Sequence, residues 1–139
     1  MRDYLHVCYT VAMCSPRVGK ARVAAALVYK GRLLSIGTNS AKSHPLAKEY
    51  GRNEHAIYLH AEVAAIRNAL RVCDDDTIAR STLYVARAKL DKHGKWQHGL
   101  AKPCVGCARA IVEFGIQKVE WTQDVHLREL EKLCQKTRL

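Results

Sequence analysis

With 139 residues, 48% of them hydrophobic, the chain is long enough to bury one core and too apolar for a disordered segment. No apolar run approaches the length of a membrane span, which excludes a helical membrane protein. Lys and Arg outnumber Asp and Glu by 23 to 13, a formal charge of +10, which favours an anionic partner such as a nucleotide phosphate or a nucleic-acid backbone. The basic residues are dispersed along the chain, and a plainly solvated basic surface is the alternative.

Residues 1–14 read as an amphipathic helix with Leu5, Cys8 and Val11/Ala12 inward. Asp3 and His6 interrupt this stretch and no basic flank precedes an apolar run, so it is not a signal peptide; the expected location is the cytoplasm. Arg22 to Tyr29 reads as a buried strand, Lys30-Gly31 as a two-residue hairpin turn and Arg32 to Thr38 as its partner. Asn39 to His55 is polar and turn-rich, a loop expected to cover a site. A helix follows from His60, with Val63, Ile66, Leu70 and Cys73 at helical spacing, ending near Asp74-Asp75-Asp76. Thr82 to Ala86 is a β-rich run. Arg87 to Lys102 reads as an insertion loop carrying His93, Trp96 and His98. Pro103 to Phe114 is a second helix stopped by Gly115, Ile116 to Thr122 a strand, and Val125 to Cys134 a closing helix. After the hairpin, strand–helix–strand units favour parallel pairing in a sheet covered on both faces, within a single domain spanning 1–139.

Six cysteines in a small chain can signal a disulfide framework, but no export signal accompanies them. Cys8, Cys14, Cys73 and Cys134 sit in apolar helical contexts and are expected to be buried thiols. Cys104 and Cys107 are different. They stand three apart at a helix start, after Pro103, whose missing N–H suits an opening position. His60-Ala61-Glu62 likewise stands where a helix opens.

One imidazole and two thiolates are ligands for a tetrahedral zinc, and three protein ligands leave a fourth corner for water, as catalytic sites do. Such a metal lowers the pKa of its water towards neutrality and makes a hydroxide nucleophile available. Helix N-termini favour thiolate over thiol. Glu62, close to that water but outside the ligand set, is the natural proton carrier. A closed structural zinc knuckle, its fourth ligand drawn from His44, His55 or Cys73, is the competing reading, with buried metal-free thiols a further one.

With these motifs in hand, the chain resembles the cytidine deaminase-like superfamily, and is most similar to the deoxycytidylate (dCMP) deaminase branch in its compact phage type. The stretches that carry the likeness are Gly37-Thr38-Asn39, HAEVAAIRNAL from His60 to Leu70, and PCVGCARAIVEFGIQKVEWT from Pro103 to Thr122. The resemblance implies a three-layer α/β/α sandwich around a mixed sheet of about five strands. It implies Zn2+ held by His60, Cys104 and Cys107, with Glu62 as proton shuttle in a hydrolase acting on C–N bonds of cyclic amidines. Asn39, and Ala61 between ligand and proton carrier, are implied at the substrate. A homo-oligomer is implied as well.

Nucleoside deaminases of this superfamily typically place a Glu two residues after that Asn, where this chain has Ala41. The expected substrate is therefore a phosphorylated cytosine nucleotide, dCMP converted to dUMP and ammonia. Lys42, His44 and Arg52 in the polar loop suit its 5′-phosphate through charge-assisted hydrogen bonds. The alternatives are cytosine or adenine within single-stranded DNA or RNA, transfer RNA included, or a free base such as guanine. Trp96 could stack on a base or cover apolar residues of its own loop.

Overall fold

The computed structural model describes residues 3–15, 22–39 and 60–124. In chain order they form α1 (Tyr4–Cys14), β1 (Arg22–Tyr29), β2 (Arg32–Thr38), α2 (Ala61–Leu70), α3 (Asp75–Ala79), β3 (Thr82–Leu90), β4 (Trp96–Gly99), α4 (Val105–Glu113) and β5 (Lys118–Trp121). The expected loop at Asn39–His55, beyond Asn39 itself, and the expected closing helix at Val125–Cys134 lie outside the described residues.

The five strands form one mixed sheet in which β2, β1, β3 and β4 lie side by side and β5 also pairs with β3. β5 runs parallel to the first half of β3 (Thr82↔Lys118 to Val85↔Trp121), and β4 runs antiparallel to its second half (Arg87↔Gly99 to Leu90↔Trp96). One edge of β3 is thus shared by two short strands placed end to end. The expectation of parallel pairing after the hairpin holds for β3–β5 only. β1 and β3 are antiparallel neighbours, because β2, the strand that feeds α2, lies on the far side of β1.

The β1–β2 turn has both central residues, Lys30 and Gly31, at positive φ (49° and 72°). That handedness matches the twist of the flanking strands and is the reason two-residue hairpins favour glycine. β2 carries one residue more than its partner between Leu33 and Ser35, a bulge opposite Leu27/Val28.

Alternation along β1 and β3 divides the core in two. Ala24, Ala26, Ala86 and Ala88 face α1, where Cys8 and Ala12 are buried against them. Ala25, Leu27, Leu83 and Val85 face the opposite way, under α2, α3 and α4. The result is the three-layer arrangement expected. Burial pushes the Cys8 thiol up to about 12, so it behaves as a small hydrophobe. Cys14 differs from expectation: it ends α1 on the outer side and is exposed.

α2 approaches the sheet unusually closely because small residues meet on both sides. Ala61, Ala64 and Ala65 lie over Gly37, whose missing side chain leaves room for helix backbone. Two hydrogen bonds pin the helix there: Ser35 Oγ donates to the carbonyl of Ala65 at 2.7 Å, and Asn68 Nδ2 donates to that of Ile36 at 2.8 Å. These contacts set the height of the helix start, and so of His60.

The insertion Arg87–Lys102 is a β-hairpin, not a loop. β3 continues to Leu90, and Asp91 organises the turn by accepting from the N–H groups of His93 and Lys95 (2.8 and 2.9 Å). Trp96 and His98 lie on the α1 side of the sheet. Tyr9 packs edge-on against His98 with centroids 4.3 Å apart, and the Arg22 guanidinium covers the Trp96 ring at 4.8 Å. Among the described residues no helix is long and apolar enough to cross a membrane.

Candidate metal centre

His60 is the N-cap of α2 and Cys104 the N-cap of α4; neither spends its side chain on a capping hydrogen bond. Both are held by ordinary first-turn bonds, Ala64 N–H to the carbonyl of His60 (2.9 Å) and Ala108 N–H to that of Cys104 (2.8 Å). Pro103 therefore precedes the cap, and Val105 takes the first helical position that the sequence reading assigned to the proline. Cys104 is extended (φ −72°, ψ 173°), which brings its thiol back over the helix end beside Cys107.

His60 Nδ1 lies 3.4 Å from the sulfur of Cys104 and 3.4 Å from that of Cys107. All three donor atoms fall within 4.8 Å of one another. Ligands around a tetrahedral zinc, with Zn–S of about 2.3 Å and Zn–N of about 2.0 Å, are separated by roughly 3.5 Å, so this set fits the metal. Two sulfurs and one imidazole also suit zinc in softness. The three residues are positioned to hold a metal ion, and the donor atom on the histidine is Nδ1.

The protonation pattern agrees. Hydrogen bonds from Cys107 and then from His60 hold the Cys104 thiol down to about 3, in its thiolate form. Cys107 is pushed the other way, by its hydrogen bond to Cys104 and by burial. One proton is shared by two sulfurs that a divalent cation would bind as thiolates.

Glu62 is buried, 6% exposed, and lies outside this donor set while sharing a hydrogen bond with Cys107. Burial raises its carboxyl above the usual range, against the lowering influence of its own backbone N–H and of His60. A buried carboxyl beside a zinc-type ligand set is placed to exchange protons there. Ala61 is fully buried between the two, its carbonyl against the sheet at Gly37.

Asn39 has a structural task that its sequence position only hinted at. Its side-chain Oδ1 accepts from Val23 N–H (3.1 Å) and its own N–H donates to the carbonyl of Val23 (3.2 Å), extending the β1–β2 ladder by one row. Lys42, His44 and Arg52 lie outside the described residues. Thr122, read from sequence only as a strand end, is a buried tie. Its hydroxyl donates to the carbonyl of Gly99 (2.7 Å) and accepts from Arg87 N–H (3.1 Å).

Fold and ligand cluster together define a zinc-binding deaminase domain. The chain belongs to the cytidine and deoxycytidylate deaminase family, whose zinc-binding region matches residues 1–123. The same fold is found in the dCMP deaminase of cyanophage S-TIM5, solved in apo form (TM-score 0.61, 20% identity, covering 94% of this chain and 88% of that one). The complex of that enzyme with dCMP and dUMP is similar in the same way (TM-score 0.58, 20% identity, 96% and 88%). A structure from studies of A-to-I editing by tRNA:A34 deaminases at the wobble position of transfer RNA also shares it (TM-score 0.54, 23% identity, 87% and 75%). No curated protein matches the chain in sequence.

Removing the metal should expose its structural share. Treatment with excess chelator is expected to lower the unfolding temperature, and stoichiometric zinc, followed by metal analysis, to restore it. An unfolding temperature indifferent to both would mean that the three donors hold no metal.

Proposed function

We propose that the protein hydrolyses dCMP to dUMP and ammonia, with His60, Cys104 and Cys107 as zinc ligands and Glu62 as proton shuttle. The observation that carries this reading is the buried Glu62 carboxyl beside, but not within, the His60–Cys104–Cys107 cluster. When bound, zinc supplies Lewis acidity and an activated water at neutral pH. Glu62 takes a proton from the attacking water and gives it to the pyrimidine ring nitrogen. It then carries the proton of the new hydroxyl on the ring carbon to the exocyclic amine, which departs as ammonia and leaves that oxygen as a carbonyl.

The choice of a monophosphate rests on Ala41, where a nucleoside deaminase has Glu, and on the basic loop bearing Lys42, His44 and Arg52. The complex of the cyanophage enzyme with dCMP and dUMP is consistent with it. Against a strand of nucleic acid, Trp96 lies on the α1 side of the sheet, away from the ligand cluster, and carries the Arg22 guanidinium over one face of its ring.

The deciding measurement is ammonia release from zinc-loaded protein across cytosine, deoxycytidine, dCMP, guanine and single-stranded oligonucleotides. Turnover of dCMP above all others is the expected result. Turnover of oligonucleotides alone, with binding that weakens steeply in salt, would replace this reading with nucleic-acid editing.

A further inference from the structure

One cationic side chain on the face of the metal centre has no assigned task. Arg87 lies in a cross-strand row, Asn39–Val23–Arg87–Gly99, joined by the Asn39–Val23 hydrogen bonds and the β1–β3 and β3–β4 registers. The next row inward, Gly37–Ala25–Val85, is roofed by the first turn of α2: a side chain on Gly37 would meet the carbonyl of Ala61 at 2.6 Å. Strand residues two apart share a face, so Arg87 is on the side of α2. Its row emerges just past the end of the helix that His60 caps. Strands spaced about 4.8 Å apart put Arg87 roughly 10 Å across the sheet from Asn39.

Arg87 is held in place, and no acidic partner answers its charge among the described residues. Its N–H is tied to Thr122, and its stem lies flat over Gly99, where a β-carbon would come within 2.9 Å of Cγ and Cδ. Nε is buried and has no hydrogen-bond partner among the described residues. The ion pairs Lys89–Asp124 and Arg80–Asp76 do not include it. A desolvated guanidinium N–H is expensive to leave unpaired. A planar fork of donors beside a nucleotide-type site suits a phosphate, which it can grip bidentately.

We propose that Arg87 binds the phosphate of the nucleotide whose base lies at the His60–Cys104–Cys107 centre. This inference rests on the dCMP reading. The hairpin insertion then has a purpose. Gly99 on β4 leaves the space that lets the Arg87 stem lie across the sheet.

The test uses zinc-loaded full-length protein and the variants Arg87→Ala, Arg87→Lys and Gly99→Ala. Zinc content and unfolding temperature are checked first. The readouts are KM for dCMP and competitive inhibition by dUMP and by deoxyuridine, which differ only in the phosphate. In Arg87→Ala, KM for dCMP and the inhibition constant of dUMP are expected to rise about tenfold to a hundredfold while that of deoxyuridine stays level. Arg87→Lys should recover part of this. Gly99→Ala should shift dUMP in the same direction by displacing the Arg87 stem. Equal weakening of dUMP and deoxyuridine, or no change in either, would overturn the proposal. A wild-type protein that turns over no free nucleotide ends the dCMP reading and this one with it. That outcome is read on the wild type alone and is distinct from a flat response of Arg87 variants in an active enzyme.

Discussion

Glu62→Gln should abolish ammonia release, by about a hundredfold to ten-thousandfold, with zinc content unchanged. The amide keeps the shape of the side chain and most of its hydrogen-bonding capacity but cannot carry a proton between water and base. Because the carboxyl is buried and disfavoured in its charged form, a neutral amide removes a desolvation cost. The unfolding temperature is therefore expected to hold or rise while turnover disappears. This opposition separates the proposed role from a structural one. A protein that merely binds nucleic acid around a closed zinc site would lose neither ligand binding nor zinc in Glu62→Gln. Retained turnover in this variant would remove Glu62 from the mechanism.

Gly37→Ala should be the most damaging single-methyl change in the described structure. The added carbon would lie 2.3 Å from the backbone nitrogen of Ala65, 2.6 Å from the carbonyl oxygen of Ala61 and 2.7 Å from the carbonyl carbon of Ala64. None of these is the movable end of a side chain, so the whole first half of α2 must lift from the sheet. Overpacking of this kind costs about 3 kcal/mol or more. Lifting α2 also moves its N-cap, His60, away from Cys104 and Cys107, so zinc affinity should fall together with stability. Gly31→Ala is the comparison: it meets nothing within 4 Å but must adopt a φ of 72°, a backbone cost of about 1–2 kcal/mol. Denaturant unfolding and zinc titration of both variants check the contrast. A Gly37→Ala protein as stable as Gly31→Ala would mean that the helix–sheet spacing is not set by the absent side chain.

Much of this molecule is readable in its residue order because the relevant signals are local. The apolar run Arg22–Tyr29, the Lys30-Gly31 turn and the partner strand Arg32–Thr38 appear with the expected bounds, since hairpin pairing is decided by neighbours in sequence. The same is true of the ligand residues. A cap position, a three-residue spacing and a proline before it are properties of single helix starts, and they place His60, Cys104 and Cys107 correctly at the ends of α2 and α4.

What could not be read this way depends on partners far apart in the chain. The antiparallel β1–β3 pairing, the shared edge of β3 and the hairpin within Arg87–Lys102 are choices among long-range registers that period-two patterns leave equivalent. Short runs such as Trp96–Gly99, only four residues long, carry too little pattern to separate strand from loop. Gly37 beneath α2, Thr122 bridging Arg87 and Gly99, and Arg22 over Trp96 are each a meeting of two segments. The amino-acid order therefore set which donor and carboxyl groups the chain brings to its candidate metal centre, because residue types are written one by one. Which cation stands beside that chemistry, and how closely a helix may approach, was settled when the sheet folded, since those depend on distances between residues remote in sequence.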